Sequence, residues 1–230
     1  MNSRNGTKAV LEQAAASSAA QFMRADILEY FKSLVGQIEI ALPNRSCRVL
    51  LLSSSVPGEG TTEVTVGLGL ALAAAMGRRT LLVDCNFRHP ELHTRFGTPG
   101  CGLGEYMGRE ISLEKALATT VVPNLQVMAG GRSGGSLLAT GKEDLERLLD
   151  DLRSRFDYVL IDAGPVSTDP EGGVLCSRVD SVILVVRHGS TKREVVKVAA
   201  DMIARAGGRV LGVVFNRRRF PIPEFLYKRL

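Results

Sequence analysis

Ser53-Ser54-Ser55-Val56-Pro57-Gly58-Glu59-Gly60-Thr61-Thr62-Glu63 is the stretch that decides the fold. An apolar run, residues 49–52, precedes it, and an Ala/Gly/Leu-rich stretch over residues 64–76 follows. Strand, Gly-rich turn and helix in this order form the context in which backbone N–H groups and a helix N-terminus hold phosphate. The charge does not match that backbone. A phosphate loop of this spacing carries lysine and then Ser or Thr after its last glycine. Here Thr61 stands in the lysine position, Thr62 keeps the hydroxyl that a magnesium ion would want, and Glu63 adds a carboxylate. Relative to Lys-Thr-Thr, one cation is lost and one anion gained. Each unit at ~4 Å and an effective dielectric of ~20 is worth roughly 4 kcal/mol before rearrangement. Even a quarter of that sum would weaken a nucleotide roughly 30-fold. The purely structural alternative is that Thr61 or Thr62 caps the helix and Glu63 complements its dipole, worth ~0.3–1 kcal/mol.

Working outward, short apolar runs alternate with helical patterns. The expected strands are 49–53, 80–83, 125–129, 158–161, 182–186 and 210–215, and the expected helices 27–40, 64–76, 113–119, 142–155 and 192–206. Strands this uniformly apolar are buried on both faces, which implies a doubly wound α/β fold, a mostly parallel sheet flanked by helices, of the P-loop NTPase kind. In such sheets the ligand site lies at the carboxyl ends of the strands. Asp84 ends the second expected strand and Asp162 the fourth, both in register with the Gly-rich loop. Tyr158-Val159-Leu160-Ile161-Asp162 fits a strand-end acid of a magnesium shell. The alternative is an Asp that caps the next turn.

The 230 residues fit one domain, expected over 25–216, with a mobile arm at 1–24 and a basic, apolar tail at 217–230. The net charge of +5 is partly local, since Arg217, Arg218, Arg219, Lys228 and Arg229 crowd the last fourteen residues. Without aromatic interleaving or a reader motif, no nucleic acid is expected as a partner. The tail suits peripheral contact with a membrane or a membrane protein. No run of ~18 apolar residues and no apolar leader is visible, so a cytoplasmic protein is expected. Cys47, Cys85, Cys101 and Cys176 lack metal or disulfide spacing, and His89, His93 and His188 are too dispersed for a convincing metal site.

The blocks then fall into a recognisable series. Asp84-Cys85-Asn86-Phe87-Arg88-His89-Pro90 is followed by Leu92-His93, Phe96-Gly97, Gly102-Leu103 and Val122-Pro123-Asn124-Leu125. Phe156-Asp157 leading to Asp162, Val179-Asp180 leading to Val185-Val186-Arg187, and Arg209 through Asn216 complete it. The chain resembles, from about Ile27 to Asn216, the cytoplasmic domain of bacterial tyrosine kinases of capsule and exopolysaccharide systems, within the ParA/MinD-like P-loop group. The resemblance implies ATP and Mg²⁺ as cofactors, phosphorylation of a C-terminal tyrosine cluster, and a membrane polysaccharide co-polymerase (chain-length protein) as partner. Carried over by position, Gly58, Glu59, Gly60, Thr61 and Thr62 would form the nucleotide loop and Asn216 would contact adenine. Asp84 would be the catalytic carboxylate that positions or deprotonates the attacking hydroxyl, and Thr62, Asp84 and Asp162 would surround magnesium.

Four departures stand against that pattern. Thr61 replaces the lysine, and Asn86 replaces the second acid of Asp-x-Asp. The tyrosines, Tyr30, Tyr106, Tyr158 and Tyr227, are not clustered. The ring-forming Glu-x-x-Arg-x-x-Arg motif, which would make a homo-oligomer, reads Glu29-Tyr30-Phe31-Lys32-Ser33-Leu34-Val35. The losses agree with one another. The expectation is a degenerate kinase-like protein of exopolysaccharide synthesis or export, acting mainly by binding a co-polymerase at the inner membrane. The alternatives are a working ATP-dependent tyrosine kinase or ATPase, with Arg88 or Arg187 supplying charge, and a ParA/MinD-type positioning ATPase.

Overall fold

The computed structural model describes residues 25–132 and 136–217, so the expected arm, and the expected tail from residue 218 onward, lie outside the described residues. The apolar runs do become strands. β1 (Arg48–Ser54), β2 (Thr80–Asp84), β3 (Ala118–Thr119), β4 (Leu125–Met128), β5 (Tyr158–Asp162), β6 (Ser181–Arg187) and β7 (Val210–Asn216) form one sheet in the order β3-β4-β2-β5-β1-β6-β7. All neighbours pair parallel except β3, which runs antiparallel to β4.

Alternate strand residues feed two cores. Leu50, Leu52, Leu82, Leu160, Ile183 and Val185 pack under α1 (Ala25–Ala41) and α2 (Thr61–Leu70). Val49, Leu51, Leu81, Val83, Val159 and Ile161 pack under the helices of the opposite face. Around β2 and β4 lie α3 (Leu92–Phe96), α4 (Leu103–Met107) and α5 (Leu113–Ala116). The opposite face is closed by α6 (Lys142–Arg155), α7 (Pro170–Cys176) and α8 (Arg193–Arg205). Helices on both faces of a parallel sheet are the doubly wound arrangement.

α2 is apolar almost all round, and Val64 through Leu70 are buried, as a central helix must be. Gly67 lets it approach α1 closely, since a Cβ there would collide with the Phe31 ring. Val35, in the place of the last arginine of the ring motif, is fully buried in this same layer. It can make no charged contact between subunits.

Several expected elements differ from those found. The 64–76 helix starts three residues earlier, at Thr61, and finishes as a π-helical turn, Ala71–Ala75. The 113–119 helix ends at Ala116, because Ala118 and Thr119 pair with Val127 and Gln126 instead. α3, α4 and α7 have no counterpart among the expected helices. Among the described residues, no helix is long and apolar enough to cross a membrane.

Candidate functional site

β1 delivers the chain to the carboxyl edge of the sheet, where Gly58 and Gly60 turn it at φ +81° and +88°. Gly60 itself is the N-cap of α2, and no side chain caps the helix. The capping expected of Thr61 or Thr62 is therefore not found, because Thr62 has another partner. Its hydroxyl donates to Asp162 Oδ2 at 2.7 Å, and Thr65 donates to Asp162 Oδ1 at 3.2 Å. Thr62 and Asp162 thus meet as the sequence register requires.

Asp84 stands directly opposite Asp162 in the β2–β5 ladder. Its carboxylate accepts N–H bonds from Asn86 (3.1 Å), Glu91 (2.9 Å) and Leu92 (3.0 Å), so it also organises the turn into α3. Burial pushes Asp84 up to about 6, against the hydrogen bonds that favour its charged form. Burial, and then the negative charge of Asp84, push Asp162 up to about 8. Two buried carboxylates side by side resist ionising together, and a divalent cation would relieve that repulsion.

Glu59 has a structural use that its place in the loop does not reveal. Its buried carboxylate accepts from the Ser55 and Val56 N–H groups at 2.7 and 3.0 Å, closing the loop on itself. It also accepts from Arg187 N–H at 3.1 Å and from the Thr191 hydroxyl, tying the loop to the end of β6. Asn216 makes a second tie. Its Nδ2 donates to Glu59 O at 2.9 Å and Gly60 O at 3.4 Å from the end of β7.

Over the loop opens a cavity of about 540 Å³, lined by Gly58, Glu59, Gly60, Thr61, Thr62, Glu63, Asn86, Arg88 and Arg217, among others. Arg88, expected as one source of charge, does reach it. Arg187, the other, lines a neighbouring recess with His188 and Ser190, and Arg217 borders both. Arg217 is a site residue that the motifs do not single out, although it directly follows the strand-end Asn216, and that adjacency is its one sequence signal. Its Nη2 donates to Glu63 Oε1 at 3.1 Å, and the other Glu63 oxygen lies against Gly60.

A magnesium–polyphosphate group can be tested against these residues. Thr62 and Asp162 suit the metal, being an oxygen pair already in contact beside a second carboxylate. The phosphate half does not fit. Within the loop, Thr61 supplies no cation and the Glu63 carboxylate is folded onto the last loop glycine. Of the arginines that line the cavity from other elements, Arg217 is paired with Glu63 and Arg95 with Glu91, which leaves Arg88 among the described residues. As arranged, the residues do not fit the whole group.

No protein-family model matches the chain. The chain is 27% identical over 192 residues to the tyrosine-protein kinase CpsD of Streptococcus agalactiae, covering 82% of each. Among solved structures, the VpsO kinase domain superimposes with a TM-score of 0.71 at 31% identity, covering 81% of this chain and 93% of that one. The chimerical protein CapA2B2 superimposes with a TM-score of 0.78 at 27% identity, covering 86% of this chain and 87% of that one.

Proposed function

This chain belongs to the bacterial tyrosine-kinase family, and from that premise we propose that it is a kinase-like protein whose nucleotide site is impaired. It acts in polysaccharide synthesis or export by binding, its partner being the cytosolic part of a membrane polysaccharide co-polymerase. One observation carries this reading. The loop backbone is held by Glu59 and Asn216 in a phosphate-loop shape, while the residue that should supply its cation is Thr61. A fold kept intact around a loop that lacks its own cation supports a role exercised through its surface.

Within this reading Thr62 and Asp162 would hold magnesium, and the metal would supply charge compensation for the Asp84–Asp162 pair. Glu59 and Asn216 position the loop. The expected domain spans 25–216. The test is co-purification of the chain with a membrane co-polymerase from detergent-solubilised membranes, with and without Mg-ATP. Association that does not depend on nucleotide is expected. A protein that stays partnerless and turns over ATP would overturn the reading.

A second reading, an ATP-dependent tyrosine kinase or ATPase with a non-standard loop, is favoured by the Thr62–Asp162 contact. Phosphotyrosine formed with Mg-ATP and lost on Asp84→Ala would support it.

A further inference from the structure

The mismatch between loop and polyphosphate is one ion pair deep. Arg217 lies at the end of β7, one residue beyond Asn216. Its backbone N–H donates to Asn216 Oδ1 at 2.8 Å, and Asn216 is itself bonded to the loop carbonyls of Glu59 and Gly60. The main chain of Arg217 is therefore fixed to the phosphate loop through a single side chain. Its φ of +53° lies in the left-handed region, uncommon for any residue other than glycine. Strained backbone of this kind persists where the surroundings hold it, and it is a pointer to function. Here the guanidinium reaches the cavity wall formed by Gly60, Thr61 and Glu63.

We infer that the cation missing from the loop sequence is present in the fold: Arg217 is the latent phosphate-binding cation of this site, and Glu63 holds it neutralised. The inference rests on reading the site as a nucleotide cradle, and the ligand class is a polyphosphate, free or carried by a nucleoside. The Glu63–Arg217 pair is partly open to solvent, with side chains 29% and 49% exposed. Pairs of that kind are worth about 0–1 kcal/mol. A polyphosphate therefore competes with Glu63 for one guanidinium at little energetic penalty. While Glu63 is charged, its carboxylate repels the same phosphates that Arg217 attracts. Neutralising Glu63 releases Arg217 to the phosphates.

The test is a double-mutant cycle on the full chain. Wild type, Glu63→Gln, Arg217→Gln and the double variant are titrated with a fluorescent ATP analogue in Mg²⁺, and separately with inorganic tripolyphosphate in competition. Thermal melts confirm that all four fold. Glu63→Gln is expected to gain at least about 10-fold in affinity, a fraction of one unit charge at ~4 Å. The double variant is expected to lose that gain, and Arg217→Gln alone to bind no better than wild type. Tripolyphosphate should follow the same order, because the arginine reads phosphate and not the base. A Glu63→Gln protein as weak as wild type overturns the inference, and so does a double variant as tight as Glu63→Gln. Neither result touches co-polymerase binding, which is measured separately by co-purification.

Discussion

Arg217 and Glu63, 154 positions apart in the chain, form an ion pair of 3.1 Å at the mouth of the phosphate loop. The pair joins the end of β7 to the first turn of α2. It cancels the charge that the Glu63 carboxylate brings to the loop. The loop beneath it keeps its shape through two further ties, and each can be tested.

Glu59 is the stronger tie. Glu59→Ala would orphan the Ser55, Val56 and Arg187 N–H groups and the Thr191 hydroxyl around a buried site. A destabilisation of about 3 kcal/mol is expected, because buried donors left without partners cost more than the bond itself. Urea unfolding measures it. A loss below about 0.5 kcal/mol would mean that the carboxylate does not hold the loop.

Asn216 is the weaker tie, with two bonds to loop carbonyls. Asn216→Ala should cost about 1–2 kcal/mol and speed hydrogen exchange at Gly60 and Thr61. Unchanged exchange there, despite a stability loss, would place the effect elsewhere in β7.

The buried acids set a pH dependence. Asp162 is raised from 3.8 to about 8 and Asp84 to about 6, both by burial first. The native state therefore keeps protons that the unfolded chain releases. Stability from this pair is present at low pH and falls as pH rises from about 4, through the Asp84 value and then to about 8. Asp162→Asn keeps an acceptor for Thr62 and removes the upper part of that slope. In EDTA at pH ~8.5 the variant should be more stable than wild type by roughly 2 kcal/mol, since a tenfold change in acidity is worth about 1.4 kcal/mol and the two acids share the burden. A variant less stable than wild type at that pH would contradict the assignment.

Close packing of α1 on α2 makes a fourth case. Gly67→Val would drive a side chain into the Phe31 ring. Overpacking of this kind costs about 1–3 kcal/mol, read as a lower urea midpoint. Phe31→Ala in the same chain should recover part of that loss. No recovery would place the strain elsewhere.

Much of this architecture is legible in the residues. Strands buried on both faces announce themselves. The edge strand β7, expected among them, leaves Val213 and Phe215 exposed, because among the described residues no strand lies beyond it and few helix residues cover it. Lys142–Arg155 reads end to end because Leu145, Leu148, Leu149 and Leu152 repeat at helical spacing. α3, α4 and α7 escape notice because elements of five, five and seven residues hold too few turns to show a period. β3 exists only through its pairing with β4, which no local pattern records. In the site, the meeting of Thr62 with Asp162 follows from strand register. The inward turn of Glu59 does not, since a carboxylate in a loop looks the same in sequence whether it faces ligand or backbone. The Glu63–Arg217 pair is a long-range contact between two residues that each look local, one a helix-start acid and the other part of a basic tail.

An intact phosphate cradle disabled by charge is the centre of the account. Its most direct test is titration of the wild-type chain with a fluorescent ATP analogue in Mg²⁺, beside a variant carrying Thr61→Lys and Glu63→Thr. The variant is expected to bind at least about 30-fold more tightly, the factor set by a two-unit change in local charge after generous screening. Wild type binding in the micromolar range, as tightly as the variant, would contradict the account.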